Sequence, residues 1–557
     1  MIKTCAISGS KFEITPEDEK FYKLQGVPPP TLCPDERQRR RLIFRNERNL
    51  FTRKDSMTGE QIVARWEDGT SFPVYSSKNW WSDRFDPLEY GRPLDFNRPF
   101  FDQFLDLRNE IPHIALYNFD SENSEYTNHA GYNKNAYMCY NAGYLEDCYY
   151  VTNYAIRSKD CCDCYAIEES ELLYECFMCK NCYSSRYLVN CETCRDSNFL
   201  FDCKNCRNCF MCWNLRSKHH CIRNEQKTKE EYEAFMASPA TNLGSHKRFA
   251  ALIIEFKDSY KHKATHKATL ITKSENCTGD YITSSKNVHQ SYYVIDCEDV
   301  RYCYDILGAK DCCDAYEPAW GLERHYETHA SNETKFMIGC NTCLRSAFFD
   351  YCDNCHNSKH LFGCYGMKKN EYCILNKQYD RPSYERLRAQ LIDHMTKTGE
   401  WGEFFPHNHS SFAYNDTKAQ DYYPLTKTEA LARGYKWRDE EKKDFKPPTL
   451  ATANIPDNIA QAPDSSTSPI SDEILACEVT GKNYKITPQE FKLYKRQNIP
   501  IPRRHHDTRY QDRLIFRHRR TLFNRTCPNC NTQTLSVFNE QDPEKILCEK
   551  CYLKKTY

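Results

Sequence analysis

"ECFMCKNCYSSRYLVNCETCRDSNFLFDCKNCRNCFMCWNLRSKHHC", from Glu175 to Cys221, decides how this chain is read. Its cysteines stand at 176, 179, 182, 191, 194, 203, 206, 209, 212 and 221, every gap a multiple of three, and the phase runs back to Cys161 and Cys164. An α-helix turns every 3.6 residues and cannot keep a period of three on one face. Short runs with β-branched or aromatic residues, separated by Asn, Asp, Ser and Lys, suit a parallel β-solenoid (β-helix) in which side chains stack in register. The phase leaves the length of one coil open between about 12 and about 20 to 24 residues.

The stretch has an internal copy. "VNCETCRDSNFLFDCKNC" (189–206) aligns with "IGCNTCLRSAFFDYCDNC" (338–355), "KDCCDCY" (159–165) with "KDCCDAY" (310–316), and "CIRNEQ" (221–226) with "CILNKQ" (373–378). Each copy leaves through a capped helix, with Thr228 and Asp380 as N-caps. Nine CxxC pairs would allow metal ligation, and an exported chain would allow disulfides. Yet Ser185 and Ser197 occupy the cysteine phase, and Ser358 and Leu361 align with Cys209 and Cys212. A packing slot tolerates Ser or Leu and a metal ligand does not, so buried thiols are the third reading.

The two ends are also copies. Cys5 to Asn79 aligns without a gap on Cys477 to Cys551: "CAISGSKFEITPEDEKFYKLQGVPPP" faces "CEVTGKNYKITPQEFKLYKRQNIPIP", and "RLIFRNERNLFTR" faces "RLIFRHRRTLFNR". Both predict a helix opened by Thr15 or Thr487, with Pro at the first position and Asp18 or Glu490 closing a capping box. A second, Arg-rich helix is expected over residues 35–51 and 507–523. In the C-terminal copy Cys527, Cys530, Cys548 and Cys551 form two CxxC knuckles, the ligand set of one structural zinc site with no position left for substrate. The matching N-terminal positions are Asp55, Thr58, Ser76 and Asn79, a poor zinc set. An earlier site has decayed in both copies, to Cys5, Ser8, Cys33 and Glu36 and to Cys477, Thr480, His505 and Thr508.

"CAISGSKFEITPEDEKFYKLQGVPPPTLCPDERQRRR" resembles the probable zinc-ribbon (treble-clef-like) domain: two cysteine knuckles, an aromatic, a short helix with FY, then Pro, Cys-Pro and basic residues. With "SENSEYTNHAG" (121–131) and "GEWGEFFP" (399–406), the layout resembles uncharacterised zinc-ribbon proteins of small-genome uncultivated bacteria. That resemblance implies zinc-binding end modules and no particular activity.

The 557-residue chain has balanced charge, but residues 1–54 carry 12 Lys/Arg against 7 Asp/Glu, and residues 477–526 carry 13 against 4. Arg37, Arg41, Arg45 and Arg48, matched by Arg509, Arg513, Arg517 and Arg520, are spaced to line one helical face. Such a face suits nucleic-acid phosphates, a solvated ion-paired surface, or internal pairing with the acidic middle of the chain. No apolar run reads as a signal peptide, and "FAALIIEF" (249–256) is too short to span a bilayer, so a soluble cytoplasmic protein with no membrane contact is expected.

The expected layout is linear: a degenerate zinc-ribbon-like module (1–79), an aromatic connector (80–120) with a helix at "FFDQFLDLRNE", a first Cys-rich repeat (121–240), an inter-repeat segment (241–270), a second repeat (271–396), an aromatic tail region (397–441), a flexible linker (442–474) and a zinc-ribbon module (475–557). The fold class is mainly β, two tandem solenoid repeats flanked by small α+β modules. His262 and His266 read as surface histidines, and His407 and His409 as packing groups. The function expected is a non-enzymatic zinc-binding scaffold for a macromolecular partner, with nucleic acid one such partner. Its alternatives are a β-helix enzyme acting on a polymer such as polysaccharide, using residues like Asp120, Glu122, Glu125 and His129, and a thiol-based metal store or redox protein.

Overall fold

A computed structural model describes residues 1–316, 321–439, 446–463 and 469–556. Strand exceeds helix, 31% to 26%, so the chain is mainly β. It divides into two compact units: Met1–Leu116 with Thr269–Asp439, and Tyr117–Ala268 with Glu440–Tyr557. The segments that share a unit are not neighbours along the chain. The N-terminal module shares a unit with the second repeat, and the C-terminal module shares one with the first.

Among the described residues each unit holds one twelve-stranded sheet whose strands, apart from the last, pair in parallel with a strand one or two further along the chain. The register is twelve residues: Arg186 faces Asn198 and Asn198 faces Phe210 in one unit, while Lys335, Ala347, Lys359 and Glu371 face one another in turn in the other. Irregularities are local. Glu146 faces Lys159, thirteen residues on, where Asn153 and Tyr154 are both left-handed. Each sheet ends in an antiparallel strand, Glu225–Gln226 or Lys377–Gln378, followed by the exit helix Lys229–Met236 or Arg381–Thr398. The caps on Thr228 and Asp380 are those expected from sequence.

The three-residue phase has a backbone cause. From Tyr187 to His220 every third residue has φ between 48° and 60°, including Tyr187, Phe199 and Met211. The left-handed conformation costs roughly 1 kcal/mol or more for a residue with a Cβ, and Asn and Asp tolerate it best. This accounts for Asn190, Asp196, Asp202, Asn205, Asn208 and Asn214 at these corners. The residue after each corner turns inward: Cys191, Cys194, Ser197, Leu200, Cys203, Cys206, Cys209 and Cys212 are all buried. A thiol in that slot donates to two carbonyls, as Cys191 Sγ does to Val189 O (3.4 Å) and Leu200 O (3.6 Å). A serine does equivalent work, Ser197 Oγ donating to Arg195 O and accepting from Cys209 N. Interchange of Cys and Ser therefore preserves both volume and hydrogen bonding, and Leu fills the slot by volume alone.

The central thiols are free and buried, apart from half-buried Cys277. Burial pushes the thiols of Cys161, Cys164 and Cys203 well above the usual range. Outside, rows of alternating charge follow the register: Lys159 meets Glu146 at 2.9 Å, Lys204 meets Glu192 at 3.0 Å and Lys335 meets Glu323 at 2.8 Å. Exposed pairs of this kind contribute little stability, but a slipped register would bring like charges together.

The connector helix forms at Phe100–Glu110, and Phe100 and Phe101 pack on Tyr351 of the second repeat. His409 is buried, as expected of a packing group, and His407 is exposed. His266 is not the surface residue expected. It is buried, with Nε2 2.7 Å from Tyr260 O, while His262 is exposed. The expected linker falls partly outside the described residues. Within them it is anchored: Ile455, Ile459 and Ile470 are buried in the core that Phe491, Tyr494 and Phe249 share, because three isoleucines outweigh the surrounding Pro, Ser and Asp.

Candidate metal centre

In the C-terminal module the hairpin of Phe523–Thr526 with Gln533–Ser536 carries Cys527 and Cys530 in its turn. Asn531 N–H donates to Cys527 O (2.9 Å), and Asn531 takes the left-handed conformation the tight knuckle needs. Cys548 and Cys551 stand at the start of the helix Glu549–Thr556 and one turn into it. All four Sγ atoms lie within 4.8 Å of one another, with Cys530 and Cys548 3.6 Å apart. A tetrahedral ion bound to sulfur at about 2.3 Å needs sulfur–sulfur edges of about 3.8 Å. The four thiols expected to be ligands are thus gathered at a distance that a metal ion can bridge. Cys548 N–H also points at Cys527 Sγ (3.4 Å), stabilising sulfur as thiolate.

This end of the module is tied to the inter-repeat segment and to the first repeat within its unit. Lys545–Leu547 pairs in parallel with Thr265–Lys267, Lys267 Nζ lies 2.7 Å from Glu549, and Arg216 donates to Tyr552 Oη (3.0 Å).

In the N-terminal copy a carboxylate occupies the equivalent place. Asp55 is buried and accepts from Met57 N (2.7 Å), Ser76 N (3.0 Å) and Asn79 Nδ2 (2.6 Å). Burial alone would raise its pKa, but the backbone N–H groups of Ser76 and Met57 outweigh it and hold the carboxyl below its usual range. A hydrogen-bonded carboxylate closes this knuckle where four sulfurs close the other.

The older sites remain as geometry. In the first, Ser8 Oγ is 3.8 Å from Cys33 Sγ, while Glu36 has turned to Arg39 and Arg433. In the second, Cys477 Sγ is 3.5 Å from Thr508 Oγ1. His505, His506 and Asp507 converge to within 4.8 Å, but Lys482 sits 3.0 Å from Asp507 and the group caps the helix His506–Arg513, where positive potential opposes a cation. Among the described residues these two are the groups of three or more metal-competent ligands that converge. The central cysteines form no such group, nor do Asp120, Glu122, Glu125 and His129, of which Glu122 pairs with Lys134 at 3.9 Å.

The arginines spaced along the two predicted helices turn largely inward. The Arg-rich helices are shorter than expected, Pro34–Leu42 and His506–Arg513, and the chain turns away after each, so eight arginines do not share one face. Arg37, Arg41, Arg45, Arg509 and Arg513 are buried, and Arg48, Arg517 and Arg520 are half-buried. In one unit Arg37 Nε meets Asp314 at 2.9 Å, Arg41 reaches Asp314 (3.1 Å) and Glu327, and Arg40 meets Glu327 at 2.8 Å. In the other, Arg509 Nε meets Asp163 at 2.9 Å, and Arg513 Nη1 meets Asp163 at 3.0 Å and Glu175 at 2.9 Å. Arg45 pairs with Glu47 at 2.9 Å. Of the three readings open for these arginines, five side chains take internal pairing: each is withdrawn from water onto a carboxylate.

Their partners were overlooked in the sequence, although a signal was there. "KDCCDCY" and "KDCCDAY" both keep Asp163 or Asp314, while the neighbouring Cys164 becomes Ala315.

No family model, curated protein or solved structure matches this chain. Among the described residues no helix is long and apolar enough to cross a membrane.

Proposed function

We propose that the protein is a non-enzymatic scaffold: two β-solenoids of twelve-residue, four-sided coils, each clasped by a zinc-ribbon-like end module, of which the C-terminal one binds a single structural Zn²⁺. The observation that carries this reading is the pairing of a closed four-cysteine cluster with interiors packed solid by Cys, Ser, Leu and Val, leaving the regular exteriors as the surfaces available to a macromolecular partner. Zinc is favoured over harder ions because all four donors are sulfur, and such a site supplies folding energy rather than catalysis. The buried arginines are better understood as a clasp between module and repeat than as a phosphate-binding face, so a nucleic-acid partner would have to use other basic side chains.

Metal analysis of the full native chain tests the reading. About one zinc per chain is expected from one four-sulfur site. Several thiol-bound metals per chain would instead make the protein a thiol-based store.

A further inference from the structure

The N-terminal module retains two cysteines of a site it no longer completes. Cys5 and Cys33 lie on facing turns joined by the hydrogen bond from Ala6 N to Thr31 O (3.1 Å), and both are buried, 2% and 7% exposed. Ser8 Oγ bridges towards Cys33 Sγ. The third and fourth positions offer a hydroxyl, Ser8, and a carboxylate, Glu36, already engaged by Arg39, so a soft metal finds two ligands there rather than four. The covering is thin: residues 6–11, the turn over Cys5, are exposed throughout. Central thiols such as Cys164 lie instead inside a closed sheet interior.

We propose that Cys5 and Cys33 form a reversible thiol–disulfide pair, oxidised by a small-molecule disulfide of the glutathione class. The Cys5 thiolate attacks one sulfur of that disulfide, breaking its S–S bond and expelling one thiolate, which takes up the proton that Cys5 released. Cys33 sulfur then attacks Cys5 sulfur in the mixed disulfide and expels the second small thiolate, which takes the Cys33 proton. Two protein thiols become one disulfide, and one small disulfide becomes two thiols, with no net proton.

The local chemistry assigns the order of attack. Burial would push the Cys5 thiol up, but N–H groups of Cys33, Ser8 and Ile7 and the Ser8 hydroxyl outweigh it and bring Cys5 to about 7. Burial raises the Cys33 thiol, so Cys5 attacks first and Cys33 is left to the resolving step, where the mixed disulfide holds its target beside it. The other module supplies an internal control. Cys477 is likewise drawn down, to about 6, but His505 stands where Cys33 would, so its reaction stops at the mixed disulfide.

The test uses the full native chain, treated with oxidised glutathione at neutral pH, quenched in acid and mapped without reduction. The expected result is a cross-linked Cys5–Cys33 peptide, with both thiols lost from the alkylatable pool at least about tenfold faster than Cys164. C33S should hold glutathione on Cys5, as the wild type does on Cys477. A stable adduct on wild-type Cys5 without the cross-link, no reaction at Cys5, or earlier oxidation of the central thiols would each overturn the proposal. Because wild-type mapping requires no substitution, poor folding of C33S leaves the test intact.

Discussion

The carboxylate of Asp163 sits 3.0 Å from Nη1 of Arg513, and both side chains are withdrawn from water. Arg41 and Asp314 repeat the relationship at 3.1 Å in the other unit. A buried carboxylate that loses its cation is left uncompensated, and breaking such a pair costs about 3–5 kcal/mol. Asp163 also holds Arg509 and Asp314 also holds Arg37, so the paired variants R509A/R513A and R37A/R41A should each destabilise the protein by at least that order in denaturant unfolding. K335A, which removes an exposed partner of Glu323, should cost less than about 1 kcal/mol. Equal costs for the buried and exposed pairs would refute the clasp.

The twelve-residue register predicts which insertions the fold accepts. Duplicating residues 191–202 adds one whole twelve-residue register period and keeps every inward slot inward. Duplicating 191–196 adds half a period and takes charge-row partners such as Glu192 and Lys204 out of register. The first variant should retain cooperative unfolding with a melting temperature within a few degrees of the parent, and the second should lose cooperativity, as followed by calorimetry.

On the zinc reading proposed above, C548S should reduce bound metal from about one ion per chain to near zero and make the C-terminal module susceptible to proteolysis near Lys545–Leu547. D55A should leave the zinc content unchanged while destabilising the N-terminal module by about 1–3 kcal/mol, because the N–H of Ser76 and the amide of Asn79 lose their acceptor. Zinc loss in D55A would mean that the four sulfurs are not the metal site.

Acid should unfold the unit containing the second repeat first. Burial lowers His325 to about 4 and His329 to about 3, and lowers His356, flanked by Lys368, and His409, beside Arg108, to about 3. The other unit has His266 at about 4 and His505 at about 3. A histidine whose folded pKa is depressed contributes stability that is complete above its unfolded pKa, near 6.5, and lost as pH falls towards the folded value. Each contributes on the order of 3 kcal/mol across that window. Calorimetry of the full chain at pH 7 and pH 5 should show the transition of Met1–Leu116 with Thr269–Asp439 falling further than that of its counterpart. An equal or opposite shift would remove the histidines as the cause.

Much of the site was legible because its determinants are local. Two CxxC knuckles seventeen residues apart are a ligand set in any fold that lets the chain double back, and the Thr15 and Thr487 capping boxes form within four residues. The comparison of Cys209 with Ser358 was equally local in origin: a slot that accepts either residue hydrogen-bonds through both.

Phosphate, solvent and internal pairing all stayed open for the arginines because spacing reveals a shared helical face and not what that face meets. Arg37 and Asp314 are 277 residues apart, and no periodicity connects them. The linker was misread for a related reason: composition weighs Pro, Ser and Asp heavily, whereas burial of Ile455, Ile459 and Ile470 depends on a core assembled by other segments.

The sequence by itself determined the duplications, the three-residue phase and the four sulfurs at Cys527 to Cys551, since each is a pattern of short-range spacing. Tertiary structure decided that the phase is one side of a twelve-residue register, with a left-handed corner at every third residue. It also decided that each end module pairs with the repeat remote from it, because buried charge seeks the nearest buried partner in space and not along the chain.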